Sequence, residues 1–251
     1  MERILIDGLS FAIPLFVMAI GGIYSEKSGV TNLALEGLRA FIGAFVAVLA
    51  AGYFGSNSQV PYYLAIVCAM AGGMLYSLLY GLLCIRLKAN QIIGGVVINI
   101  LAMSLTAFFT KLLNRLVFGA ASEKFVLGVS ARFTIPLLSG IPVIGAAFKD
   151  VYPFEILILL IAVVAWYVLY KTRYGMNLRA CGDNPHAVDA AGENVTRIRL
   201  IAVLVSGALS GLAGISFAYS ISANFSSNIY VGYGYLAIAA MIFGNWKILP
   251  T

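Results

Sequence analysis

Charge is scarce in this sequence, and so is histidine. Only 10% of the residues are Asp, Glu, Lys or Arg, against roughly 25% in a soluble domain. Such a chain cannot cover its apolar surface with polar groups in water, which places it in a bilayer. His186 is the single histidine. No serine or cysteine near it forms a nucleophile motif, so it reads as a solvated surface residue and not a general base. Neither an HExxH helix nor a paired-acid array is present. A GxxxxGK[ST] loop for cradling phosphate is missing too, so this chain is not its own ATPase. Cys68, Cys84 and Cys181 show no ligand spacing, which excludes a disulfide framework and a metal site; no cofactor is expected. The first apolar stretch has neither a cleanly basic start nor a small-residue cleavage site, so it reads as a span and not as a signal peptide.

Apolar residues fill the space that charge leaves. Hydrophobic residues make up 61% of the chain, mean hydropathy is +0.96, and glycine is rich at 26 of 251. Seven apolar segments are read near 4–24, 33–54, 61–85, 92–113, 153–170, 200–222 and 231–245, judged against the ~20 residues that a span needs. The expected fold is an all-α, polytopic membrane helical bundle forming one transmembrane domain over residues 1–251. The seventh segment is short and reads as broken or re-entrant. The chain stops at GNWKILPT (244–251), just after an apolar segment, which reads as a fragment or a shortened reading frame.

The net charge of +6 needs no nucleic acid to explain it. Under strict alternation Lys27, Arg39, Arg86, Lys88, Lys171, Arg173, Arg179, Arg197, Arg199 and Lys247 fall on one side, the cytoplasmic side by the positive-inside rule. The N-terminus is then outside. The loop 171–199 is inside, and the loop from Asn114 to Tyr152 is extracytoplasmic. That outer loop carries prolines and glycines within FTIPLLSGIPVIGAAF (133–148). It reads either as a landing surface for an external partner or as a cap on the bundle.

The cytoplasmic loop KTRYGMNLRACGDNPHAVDAAGENVTRIR (171–199) is the most polar stretch of the chain. It contains a short helix marked at both ends. Asn184 suits the N-cap, Pro185 the first helical position, and Gly192 the stop. Inside the apolar segments, polar residues are costly and normally face protein or water. Asn32, Glu36, Gln91 and Asn99 are the candidates for a solute path. Hydrogen bonding between helices, and for Glu36 local pairing with Lys27 or Arg39, are the structural readings of the same residues. In VSGALSGLAG (205–214), Gly207 with Gly211 and Ser210 with Gly214 place small residues on one helix face for close packing.

SEKSGVTNLALEG (25–37), RYGMNLRACGDNPHAVDAAGENVTRIR (173–199), ANQxxxGxxxN (89–99) and FGNW (243–246) together resemble permease subunits of bacterial ABC importers. The branch is the one that includes ribose-type sugar, branched-chain amino acid and nucleoside importers, and the likeness is strongest to nucleoside permeases. Ala34 and Leu35 depart from the Ile/Gly-type pair commoner there, and such permeases often continue for several more spans. The resemblance implies a bacterial cell-membrane protein that pairs with a second, non-identical permease, two cytoplasmic ATP-binding subunits and an external solute-binding lipoprotein. It implies that the helix at Asn184–Ala191 docks on the ATP-binding subunit. Arg173, Arg179, Asp183, Asn184, Pro185, His186, Asp189 and Gly192 would form that surface. The solute would be a nucleoside, then a simple sugar such as ribose, then a branched-chain amino acid. An ATP-independent carrier or channel, and a non-transporting fragment, stay open as alternatives.

Overall fold

The computed structural model describes residues 2–32, 41–54, 60–119, 122–127, 152–222, 224–226 and 232–251. Nine α-helices run through the described residues: α1 (Glu2–Lys27), α2 (Phe41–Phe54), α3 (Val60–Gly81), α4 (Gln91–Val117), α5 (Pro153–Lys171), α6 (Arg173–Asp183), α7 (Pro185–Ala190), α8 (Val195–Phe217) and α9 (Tyr233–Phe243). Short π-helical turns extend α3 through Leu82–Arg86 and α8 through Ala218–Ser222.

A helix lies on every one of the seven apolar segments, but their lengths differ from the sequence reading. Four helical stretches are long and apolar enough to cross a membrane: Ile6–Lys27, Val60–Arg86, Gln91–Val117 and Val195–Ser220. A fifth arises if α5 and α6, bent by 68° at their junction, count as one broken span. The 11 residues of α9 are too short to span alone, at 1.5 Å rise per residue against a ~30 Å hydrocarbon core; the described part of α2 is 14 residues. The 33–40 part of the second segment lies outside the described residues. α4 runs to Val117, so Asn114 belongs to a helix and not to the outer loop as read.

Two three-residue strands accompany the helices of this all-α bundle. β1 (Lys124–Val126) pairs antiparallel with β2 (Asn224–Ser226), in the register Lys124↔Ser226, Phe125↔Phe225 and Val126↔Asn224. The pleat turns both phenylalanines to one side. Their rings stack at 6.2 Å, and Phe45 of α2 lies 5.9 Å from Phe125.

The core is centred on α8, whose residues from Ser206 to Phe217 are all buried. It packs against α3 at a crossing of two glycines. A Cβ on Gly73 would collide with the Gly207 carbonyl, and one on Gly207 with the Ser77 hydroxyl and the Gly73 carbonyl. Gly211 lies alongside, its Cα 3.3 Å from the same Gly73 position. Hydrophobic burial gives little drive between helices in lipid, so such backbone contact is what holds them. Ser210 is buried and donates back to the Ser206 carbonyl at 2.8 Å, and Gly214 is buried one turn further on. At the opposite end, Phe11, Phe217 and Tyr233 join α1, α8 and α9 through ring contacts of 5.0 to 5.5 Å.

Candidate functional site

The 171–199 stretch folds as an elbow, a short exposed helix and the start of α8. Thr172 makes the elbow. Its hydroxyl donates to the Val168 carbonyl at 2.6 Å and accepts from the Gly175 amide at 3.2 Å, which ends α5 and caps α6. The bend brings Gly175 onto the end of α5, where a Cβ would collide with the Val168 and Leu169 carbonyls. Arg179 lies 5.5 Å over the Tyr170 ring, and its Nε donates to the Gly175 carbonyl at 3.3 Å. Burial pushes the Tyr174 hydroxyl up to about 12, and raises the Cys181 thiol as well.

α7 follows one residue after α6. Asn184 caps it, its Oδ1 accepting from the Ala187 amide at 3.2 Å, and Pro185 occupies the first helical position. Gly192 ends it at φ +84, a left-handed conformation that costs other residues 1–2 kcal/mol. The Gly192 amide donates to the Asp189 carbonyl at 2.9 Å and the Glu193 amide to the Val188 carbonyl at 3.2 Å. These bonds satisfy two of the carbonyls that a helix end leaves open. Only Val188 of α7 is buried; His186 and Asp189 are exposed, as are Arg173 and Asp183 just upstream. The result is a rigid polar knob held to the body by one apolar side chain.

A second constellation lies where α1 ends. After Lys27 the chain turns back along the bundle. Ser25 Oγ donates to the Val30 carbonyl at 2.7 Å. The Thr31 amide donates to Gln91 Oε1 at 2.8 Å, and the Tyr80 hydroxyl donates to the Thr31 carbonyl. The buried Asn32 donates through Nδ2 to Ser206 Oγ at 3.0 Å. Arg199, also of α8, donates to the Ser28 carbonyl at 3.0 Å. From Ser28 to Asn32 the chain therefore climbs seven residues of α8, about 10 Å deeper into the bundle. Asn32 and Gln91 thus both fasten this segment, Asn32 to α8 and Gln91 to α4. Asn99 stands eight residues further along α4, about 12 Å away along the axis, beside the Ile98 carbonyl that accepts from Tyr76 at 2.5 Å. Glu36 lies outside the described residues.

Sequence reasoning missed Glu155, the one buried acid among the described residues. It accepts from Ser10 Oγ at 2.9 Å and from the Tyr152 amide at 3.4 Å. Its position three residues into an α5 that opens with proline was the available signal, since that is where a helix-start acid closes on the capping residue. Arg199 was missed in its structural role, having been counted only as a positive-inside charge.

Comparison with known families settles the class. Residues 4–251 match the family described as branched-chain amino acid transport system / permease component. The chain belongs to this family. It is a multi-pass membrane permease. It is 39% identical over 241 residues to the guanosine ABC transporter permease protein NupQ of Bacillus subtilis, covering 95% of this chain and 74% of that one. It is 38% identical to the nucleoside ABC transporter permease protein NupC of Lactococcus lactis, covering 98% and 77%. Identity falls to 30% with the putative glucose ABC transporter permease protein TsgC13 of Haloferax volcanii, over 93% and 68%. No solved structure matches the chain. The permease family implies ATP-binding subunits and a solute-binding protein as its working context.

Proposed function

We propose that this permease is the membrane subunit of an ATP-binding cassette importer that moves a nucleoside inward by alternating access. A simple sugar is the next candidate solute, then a branched-chain amino acid. The observation that carries the reading is α7: an exposed helix of six residues, capped at both ends, in the stretch that the positive-inside rule assigns to the cytoplasmic side. Local capping fixes its shape without burial, which suits a surface shaped for a partner. ATP hydrolysis belongs to that partner. His186, Asp189, Asp183, Asn184 and Pro185 form the knob, Gly192 sets its end, and Arg173 and Arg179 flank it on α6. The remaining partners are a second, non-identical permease and an external solute-binding lipoprotein. The nucleoside assignment draws on the two relatives at 39% and 38% identity, a guanosine and a nucleoside ABC transporter permease protein. The pinned segment at Asn32, held by Gln91, lines the path, with Asn99 further along α4; Glu36, the fourth candidate, lies outside the described residues. A proton-coupled carrier would want buried acids along its path. Glu155 is instead engaged by Ser10 and the start of α5.

The test is recovery of the tagged chain from solubilised membrane with its neighbours identified. The wild type should bring down an ATP-binding subunit, a second permease and a lipoprotein. Arg179→Glu, or a Gly/Ser linker in place of 184–191, should insert into the membrane and lose the ATP-binding subunit. Undiminished recovery of that subunit with either variant sinks the docking role of α7. Binding of guanosine, ribose and leucine to the recovered lipoprotein then ranks the solutes.

A further inference from the structure

The α7 knob must be joined to the spans if its movement is to reach them, and Arg199 is placed to do this. α6 carries α7 at its C-terminal end. That end lies against the end of α1: a Cβ on Gly182 would collide with the Lys27 carbonyl, and Gly29, at φ +81, has its Cβ position 3.4 Å from the Gly182 Cα. Arg199, in the first turns of α8, reaches into this junction. Its Nε donates to the Ser28 carbonyl at 3.0 Å and its Nη2 to the Cys181 carbonyl at 3.4 Å.

The chemistry explains why arginine suits the place. The Cys181 and Ser28 carbonyls belong to the C-terminal ends of α6 and α1, where open carbonyls gather and the helix dipole is negative. A guanidinium is a flat fork of donors with permanent charge, able to serve two acceptors at once; a lysine ammonium is a point donor on a flexible stem. One cation on α8 therefore ties two helix ends together.

We propose that Arg199 is the clasp through which displacement of α7 is passed to α1 and α8. This rests on α7 being the surface that the ATP-binding subunit moves. In that role Arg199 is a positioning residue. It touches neither solute nor nucleotide, and its loss uncouples hydrolysis from transport while leaving the complex assembled.

Two measurements test it on the assembled transporter in vesicles. In the first, Arg199→Met and Arg199→Lys are compared with wild type for retention of the ATP-binding subunit, ATP hydrolysis and guanosine uptake. The expected result for Arg199→Met is retained subunit and hydrolysis with uptake per ATP lowered roughly tenfold, inside the range of ordinary coupling between sites. Arg199→Lys should recover part of it. Uptake per ATP unchanged, or loss of the ATP-binding subunit from the membrane, overturns the clasp. In the second, Cys181 is the only thiol left, after Cys68→Ser and Cys84→Ala, and its maleimide labelling is timed in inside-out vesicles. Cys181 is fully buried; releasing the clasp should speed its labelling several-fold, and an unchanged rate overturns the clasp. This readout needs no partner subunit, so a wild type that retains no ATP-binding subunit defeats the importer reading while the clasp is still judged by Cys181.

Discussion

α8 and α4 are nearly twins in hydropathy and opposites in burial. The most apolar 18 residues within Val195–Ser220 have mean hydropathy 2.1 and are 78% buried, whereas those within Gln91–Val117 have 2.2 and are 22% buried. In water this would make no sense, because equal apolarity drives equal burial. In lipid the surroundings are as apolar as the core, so hydropathy decides only that a helix crosses. Side-chain size decides whether it packs. α8 offers Ser206, Gly207, Ser210, Gly211 and Gly214 to its neighbours. α4 turns Ile92, Ile93, Val97, Ile100 and Leu116 outward and keeps a narrow inner stripe of Gly95, Ile98, Ala102, Thr106, Thr110 and Asn114.

The contrast breaks most visibly at Gly207. Gly207→Leu puts a branched side chain where even a Cβ collides with Ser77 and Gly73. The loss should reach the upper end of the roughly 1–3 kcal/mol that overpacking costs, read as unfolding in detergent. Ile100→Ala, on the exposed face of α4, should stay within about 0.5 kcal/mol. Equal losses at the two positions would mean that small-residue packing is not what separates α8 from α4.

The sequence made some of this legible and hid the rest, for physical reasons. A helix falls on each apolar run, because lipid forces the backbone to satisfy its own hydrogen bonds. The α7 caps were readable at Asn184, Pro185 and Gly192, because capping is local and each residue does its work within a few positions. The shortness of the seventh segment was readable as well, and α9 has 11 residues. The β1–β2 pair joins Phe125 to Phe225 across a hundred residues of chain, and three-residue strands carry too little pattern to announce themselves. Arg199 looked like any other cytoplasmic cation. Its second acceptor, the Cys181 carbonyl, becomes a neighbour only once α6 has folded back at the Gly175 elbow. Asn32 and Gln91 were readable as costly polar residues, but not as the groups that fasten one segment to α8 and α4.

If glycines do not hold α4, a few polar bonds at its ends must. Asn114 is the clearest of them. It is buried, and its Nδ2 donates to the Ser122 carbonyl at 2.9 Å and the Lys124 carbonyl at 3.1 Å. Asn114→Ala should therefore cost about 1 kcal/mol, the net worth of one or two such bonds. The damage should be local: faster amide exchange in β1 and the last turns of α4, with the α3–α8 crossing still protected. Protection lost everywhere at once would show that α4 is part of the same cooperative unit as α8, and the comparison would fail at its weaker half.

The smallest effect is expected one turn away, at a contact that looks stronger. Lys111 Nζ lies 2.7 Å from Glu123 Oε1, the one ion pair among the described residues, with side chains 59% and 72% exposed. The hydrogen bond and charge of Lys111 hold the Glu123 carboxyl below its ordinary range. Any stabilisation is thus present above the ordinary carboxylate range and lost as pH falls through the lowered value. Water and salt screen so exposed a pair, and holding two long side chains in one geometry costs entropy. Lys111→Ala should leave the unfolding temperature at neutral pH where the wild type has it, and added salt should change neither protein. A loss matching that of Asn114→Ala, disappearing on acidification, would show that charge, and not the buried amide, fastens the outer end of α4.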